Sequence, residues 1–424
     1  RTHILSLCAA LTCVVCAEAV VSQALPLVLG ASIGSSVQVS EALARITSIG
    51  AAVDFAMLPV VGSLSDVHGR RPLLLLLPFV ALCLRITAVV SPTAPVLVMS
   101  RMFMGAIVSA YFLLVGTSCA DLFQGDSASL AAIEGRTAAC WGIAYALGMF
   151  IGGQILAGAV ATKVAASVTG VSSIRSVYGV SALLALSGLG FALVGARETL
   201  SPDMRRPFSK LRLARESTPG GFLSLFTRKG KAGRQIAFLA LILGLHALHD
   251  GEGDVWQVYS IEMRGWGTRA NAAYGGLLGA ASSAGGLLTG VSVMRLGGKW
   301  HTIATTLLTV VANLLFMSRS SALAFGSILF AATEDCMSAA VMARIMQIGT
   351  QTGLGRGRLA SGCHNLAAIV RVGGLYSFGK LFAIGMRRGC PQLPYLLCAA
   401  SQLLAVILVL CTARGLWQEA EETA

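Results

Sequence analysis

Charge is what this 424-residue chain has least of. Asp, Glu, Lys and Arg together make up 12% of it, about half of the ~25% carried by soluble proteins. Acids are the scarcer sign, 19 against 32 basic residues, and aromatics reach only 7%. A chain so poor in charge cannot clothe a water-facing surface, which excludes an ordinary soluble domain. With 55% hydrophobic residues it is not a disordered chain either, since disorder needs low hydrophobicity. The eleven Cys are scattered along apolar stretches, not spaced as a disulfide framework. Cys13 and Cys16 form a C-x-x-C, but no second pair completes a zinc site, and free Cys packs well as a small hydrophobe. There is no H-E-x-x-H and no paired-acid protease signature. We expect no enzyme, no cofactor and no metal. With 7% aromatics, an aromatic-rich sugar pocket is not expected.

What the chain does have is apolar length. Its mean hydropathy is +0.76, and 48 of its residues are Gly, a residue that membrane helices tolerate more than soluble ones do. About 20 apolar residues in helical form cross a bilayer. Twelve such segments are expected, near 4–29, 42–62, 71–90, 94–120, 138–161 and 177–195, then 236–258, 270–292, 300–317, 321–343, 360–385 and 392–413. Ala17-Glu18-Ala19 has the small residues of a signal-cleavage site. The apolar run continues past it to Leu29, which favours a span. Between the sixth and seventh segments, Arg197 to Arg234 holds ten Lys/Arg against three Asp/Glu. Basic loops stay in the cytoplasm, so this loop and, by the even count, both termini are expected there. The net charge of +13 is read this way and not as a nucleic-acid footprint. The expected division is a first bundle over 1–196, a linker over 197–235, a second bundle over 236–414 and a tail over 415–424. The fold class expected is an all-α membrane protein, twelve helices in two six-helix bundles.

The two halves carry a repeat. The loop after helix 2 reads Gly62-Ser-Leu-Ser-Asp66-Val-His-Gly69-Arg70-Arg71, and that after helix 8 reads Gly290-Val-Ser-Val-Met294-Arg-Leu-Gly297-Gly298-Lys299. Both glycines and the final cation recur at an offset of 228, with Met294 in place of the acid. Gly62 and Gly69 permit a tight turn. Asp66 and Arg70 are four apart and can pair, and Pro72 suits the first turn of the next helix. Internal repeats of six helices are expected of secondary transporters.

The loop Gly62-x-Leu64-Ser65-Asp66-x-x-Gly69-Arg70-Arg71-Pro72 resembles the signature between helices 2 and 3 of the major facilitator superfamily. The resemblance implies the major facilitator fold and a loop that latches the two halves on the cytoplasmic side. Arg101-Met-Phe-Met-Gly105 is similar to the family's R-x-x-x-G in helix 4, an arginine associated with coupling in proton-driven members. Gly142, Gly148, Gly152 and Gly153 resemble the helix 5 glycines of the antiporter branch, with Met149 where that branch has Pro. Arg197-Glu198-Thr199-Leu200 resembles the end of helix 6 in drug and tetracycline exporters. Gly357-Arg358-Leu359, Asn365 and Arg371-Val-Gly-Gly374 resemble the same relatives around helix 11. Gly148/Gly152 and Gly275/Gly279 have small-x-x-x-small spacing. By the resemblance they are expected to pack helices 5 and 8 at the boundary between the halves.

Ionisable groups at membrane depth mark pathways or pairs. Glu18 lies about 21 Å along helix 1, and Arg101 about 9 Å below the opposite surface in helix 4. Across a ~30 Å core they reach one depth. They would form a proton switch, a static buried pair, or no contact. Asp54 either faces the cavity or caps a neighbouring helix. Helix 7 holds His246, His249, Asp250, Glu252 and Asp254. His246, Asp250 and Asp254 share one helical face, and Gly251 and Gly253 can break the helix there. This set is either a cation or proton site or part of an outer loop. Glu334 and Asp335 with Arg371 and Lys380 form a second expected charge set.

The function these features imply is a secondary transporter for a small solute, probing both sides of the bilayer in turn, proton-coupled and exporting, and active as a monomer. A nutrient facilitator or symporter, for a sugar or organic anion, is the alternative. A transporter-like receptor without flux is the remote one.

Overall fold

The computed structural model describes residues 2–33, 35–122, 127–161, 168–205, 219–252, 255–352, 356–412 and 416–417. Among them every regular element is helical. The first six crossings are α1 (Thr2–Ala19) with α2 (Ala24–Ile33), α3 (Ser36–His68), α4 (Arg70–Val90), α5 (Ala94–Leu122), α6 (Ser127–Ala161) and α7 (Val168–Gly195). The last six begin with α8 (Gly230–Ala247) and α9 (Val255–Arg264), which share one crossing, then α10 (Thr268–Phe316). They continue with α11 (Ser321–Ala331) and α12 (Ala339–Gln351) in one crossing, α13 (Arg356–Arg388) and α14 (Leu393–Cys411).

Among the described residues ten stretches are long and apolar enough to cross a bilayer. One of them, α10, has 49 residues, or ~74 Å at helical rise. That is more than twice a ~30 Å core, so α10 holds two crossings. The reversal falls at Gly297, whose φ of 75° and ψ of 156° interrupt the helix. The broken α11–α12 pair completes twelve. Gly69, the partner of Gly297 in the sequence repeat, has φ 92° and ψ 168°. Both glycines thus turn the chain in the left-handed region that other residues avoid. The repeat is one of backbone geometry as well as of letters.

Among the described residues three crossings are broken within their length. α1 stops at Ala19, just after Glu18, and α8 stops at Ala247, the position related to Ala19 by the same offset of 228. A short 3-10 turn, His249–Glu252, then leads into α9. The third break, a 3-10 turn at Glu334–Cys336 between α11 and α12, carries no glycine and was expected as continuous helix. Gly251 lets the seventh crossing meet α13, since a Cβ there would stand 3.0 Å from the backbone of Gly374.

Lipid gives helices no hydrophobic reason to associate, so close packing of small residues holds them together. The halves meet along α6 with the first part of α10, and along α3 with α13. At the first seam a Cβ on Gly142 would lie 2.5 Å from the Gly279 carbonyl, and one on Gly279 would lie 2.7 Å from that of Gly142. Gly275 packs on Met149. Gly148 and Gly152 do not serve this seam. They face Cys16 and Val20 of the first crossing, inside their own half. Their spacing signals close packing correctly but cannot say against which neighbour. The lipid-facing side is written in α4. Leu74, Leu77, Ala81, Arg85 and Ala88 are buried at helical spacing, while Leu76, Phe79 and Ile86 point outward.

Candidate functional site

The first charge cluster is built from three crossings. Glu18 lies at the end of α1, and its Oε1 accepts a hydrogen bond from Arg101 Nη1 of α5. Its Oε2 accepts one from Arg85 Nη2 of α4. Arg85 also donates to Ser100 Oγ at 2.9 Å and lies over the Tyr178 ring, 5.5 Å from its centre. The expected Glu18–Arg101 contact is present, but a second guanidinium joins it. Two cations thus bind one carboxylate. Arg85 is fully buried. It was legible in principle, as a charged residue within the inward stripe of α4.

The second cluster crosses between the halves. Arg371 of α13 lies 3.6 Å from Asp54 Oδ2 of α3 and donates to Asp250 Oδ2 at 3.0 Å and 3.2 Å. The same seam carries Lys380 to Glu41 at 3.4 Å and Ser48 Oγ to the Val372 carbonyl at 2.8 Å. Asp54 therefore sits at the seam, bound to the opposite half, and does not cap a helix in its own. The expected Glu334–Asp335–Arg371–Lys380 set does not assemble. Both cations face α3, whereas Glu334 turns to His249, 3.1 Å away.

His246 and Asp250 do not share the expected helical face, because α8 ends at Ala247. His246 is buried against Thr306, 3.2 Å from its hydroxyl, and is not among the residues that line the cavity described below. Asp254 lies outside the described residues. The helix break turns His249, Asp250 and Glu252 inward instead.

Together they wall an open cavity of about 200 Å³ with Glu334 and Asp335 from the tenth-crossing break. Trp141 and Tyr145 come from α6 of the first half, and Trp256, Tyr274 and Phe316 from the second. Tyr274 stands 5.4 Å from Trp256 and 5.2 Å from Phe316, ring centre to ring centre. The composition had offered no stacking platform. The fold builds one by gathering scarce aromatics from three crossings. The wall is thus aromatic, acidic and shared by both halves. Among the described lining residues there are four carboxylates and no Lys or Arg.

The signature loop binds within its own half. Arg70 donates to Asp66 Oδ1 at 2.6 Å, to Asp121 Oδ2 at 3.1 Å and to Ser65. The Glu198 carboxylate accepts from the backbone N–H of Arg70 at 2.9 Å and of Arg71 at 3.3 Å. These are free donors of the first turn of α4, where a carboxylate is favoured. Glu198 of the Arg197–Leu200 segment is thereby the cap of α4. Of the residues expected to form the latch, Gly62 packs beside Leu113, again in the first half.

Comparison with known proteins agrees with this architecture. The chain resembles the human organic anion transporter MFSD10 (TETRAN) in structure, with a TM-score of 0.74 at 18% identity, over 96% of this chain and 99% of that one. A D-xylose–proton symporter gives 0.69 at 14% identity, over 97% and 98%. FucP, a transporter in the outward conformation, gives 0.63 at 13%, over 99% and 100%. At such identities the likeness is one of fold. No curated protein is matched by the sequence. A family model described as Major Facilitator Superfamily matches residues 7–357. With twelve crossings in two related halves and a glycine-turned loop at the same place in each, this chain belongs to the Major Facilitator Superfamily.

Proposed function

We propose that the protein is a secondary active transporter that carries a small organic cation with an apolar or aromatic body. Alternating access between the halves moves it, in exchange for protons. The observation that carries this reading is the wall of the cavity between the halves. Asp250, Glu252, Glu334 and Asp335 offer negative charge, and Trp141, Tyr145, Trp256 and Tyr274 offer ring faces. A cation over an aromatic face, desolvated, gains about 2 kcal/mol. Protons and a cationic solute compete for the same carboxylates, so each drives the other out. That is antiport without a separate coupling site. Glu18 supplies a second protonatable group. Neutralising it would remove the counter-charge of the buried Arg85 and loosen its tie to Arg101, which biases the equilibrium between conformations.

Export is the direction favoured by the resemblance of the helix 5 glycines and Arg197–Leu200 to the drug-exporter branch. In this reading both termini and the 197–235 linker are cytoplasmic, the bundles span 1–196 and 236–414, and the monomer is the working unit. A proton–sugar symporter is the second reading. It is favoured by one observation, that ring faces beside carboxylates also suit sugar hydroxyls and C–H faces.

The test is proteoliposomes under an imposed pH gradient, offered lipophilic cations and neutral sugars. The proposal expects proton movement with cations and none with sugars. It expects that movement to be lost in Asp335→Asn with reconstitution unchanged. Sugar-driven proton entry would establish the second reading. Cation flux that ignores the pH gradient would remove proton exchange.

A further inference from the structure

We infer that His249, Glu252 and Cys398 form a binding site for a zinc-type divalent transition-metal ion at the wall of the central cavity. The inference goes beyond the transport reading and holds whichever solute is carried. His249 and Glu252 lie on the 3-10 turn that breaks the seventh crossing, and Cys398 on α14. His249 Nδ1 is 3.1 Å from Cys398 Sγ and 3.3 Å from Glu252 Oε1. The three ligand atoms lie within 4.8 Å of one another. Bonds of about 2.0–2.3 Å at tetrahedral angles put ligand atoms roughly 3.3–3.7 Å apart. Two edges of the triangle, 3.1 and 3.3 Å, are close to that size, and the third is no longer than 4.8 Å.

The surroundings match what a metal-binding histidine needs. Its other nitrogen, Nε2, is 3.1 Å from Glu334 Oε2. A carboxylate there holds the proton on Nε2 and leaves the Nδ1 lone pair toward the cluster, the arrangement that orients metal-bound imidazoles. In that tautomer Nδ1 has no proton to offer Glu252 Oε1, and two lone pairs face each other until a cation lies between them. Asn313 Nδ2 is 3.5 Å from Cys398 Sγ, a donor toward the sulfur as it gains thiolate charge.

Nitrogen, thiolate and a single carboxylate oxygen select zinc, cobalt or cadmium over magnesium and calcium. Three protein ligands leave the fourth position to water or a solute. His249 and Glu252 border the cavity, so that position is reached from there.

The test uses the full-length protein in detergent, stripped of metal, with Zn2+ alone and with Co2+ as the spectroscopic probe. We expect one strong Zn2+ equivalent per chain and a cobalt complex with a thiolate charge-transfer band. Cys398→Ser should abolish that band. Cys398→Ser and His249→Ala should each weaken Zn2+ binding more than tenfold, and Glu334→Gln by about 10- to 100-fold. Cys336→Ser, a buried cysteine outside the triangle, should leave binding unchanged. Each variant is compared by its metal-free size-exclusion profile, so loss of fold is separated from loss of metal. Wild-type protein that takes up no Zn2+, or a cobalt complex lacking the thiolate band, overturns the inference without recourse to any variant. Binding that survives both Cys398→Ser and His249→Ala overturns it equally.

Discussion

Arg371 reaches from the second half of the protein to Asp54 in the first, 3.6 Å away, while also holding Asp250 of its own half. One guanidinium thus joins the seam between the halves to the wall of the cavity. A solute or proton that changes the charge of Asp250 changes how firmly Arg371 holds Asp54. That is a physical link between cavity and seam, since the same cation is shared by both.

Arg371→Gln should loosen the α3–α13 seam. Removing one partner of a charge pair whose other member is buried costs about 2–5 kcal/mol, enough to move a two-state equilibrium by tenfold or more. Spin labels on α3 and α13 measured by pulsed electron resonance should report a longer distance population than the wild type. An unchanged distribution would show that the glycine seam holds this state alone.

Glu18→Gln should destabilise the protein by about 3–5 kcal/mol, because it removes the carboxylate that answers the buried Arg85. Adding Arg85→Gln should recover part of the loss. The two changes are coupled through one contact, so their effects should not add. Thermal unfolding in detergent gives both numbers. Simple additivity would mean that Arg85 does not feel Glu18.

Gly69→Ala and Gly297→Ala should differ. Both put Cβ in a left-handed conformation, a strain of about 1–2 kcal/mol. At Gly297 nothing lies within 4 Å of the new atom, whereas at Gly69 it meets the Glu198 carboxylate. Gly69→Ala should therefore also break the cap of α4 and lower the unfolding midpoint further, with Glu198→Ala reproducing the extra drop. Equal midpoints for the two Ala variants would argue against Glu198 as a cap.

Gly142→Val should stop transport while leaving protein in the membrane. Its side chain would enter the space held by the Gly279 backbone and Ser283, and overpacking of this kind costs about 1–3 kcal/mol. Flux normalised to reconstituted protein is the readout. Gly148→Val should act differently, by disturbing the contact with the first crossing and lowering stability within the first half.

Trp141→Ala should weaken binding of a cationic solute by roughly 3- to 30-fold, the value of one cation–π contact, with little change for a neutral one. Equilibrium binding to purified protein separates the two. Equal losses for both would assign Trp141 to packing.

Much of the architecture follows from sequence alone. Apolar length counts the crossings, because a bilayer accepts a helix of one size only. The Gly69 and Gly297 turns are readable because a left-handed bend admits few residues but glycine. The break after Ala247 is readable from Gly251 and Gly253, and the depth of Glu18 and Arg101 from helical rise. What the tertiary structure alone decided is which neighbour each side chain meets. A helix in lipid presents small and polar residues to several possible partners, and its own sequence does not rank them. So Gly148 turned to the first crossing, Arg371 to α3, Glu334 to His249, and Arg85 completed a pair that had looked sufficient with two members. The aromatic wall follows the same rule. Its rings are few in composition and far apart along the chain, and only the packing of α6 against α10 gives them a common cavity.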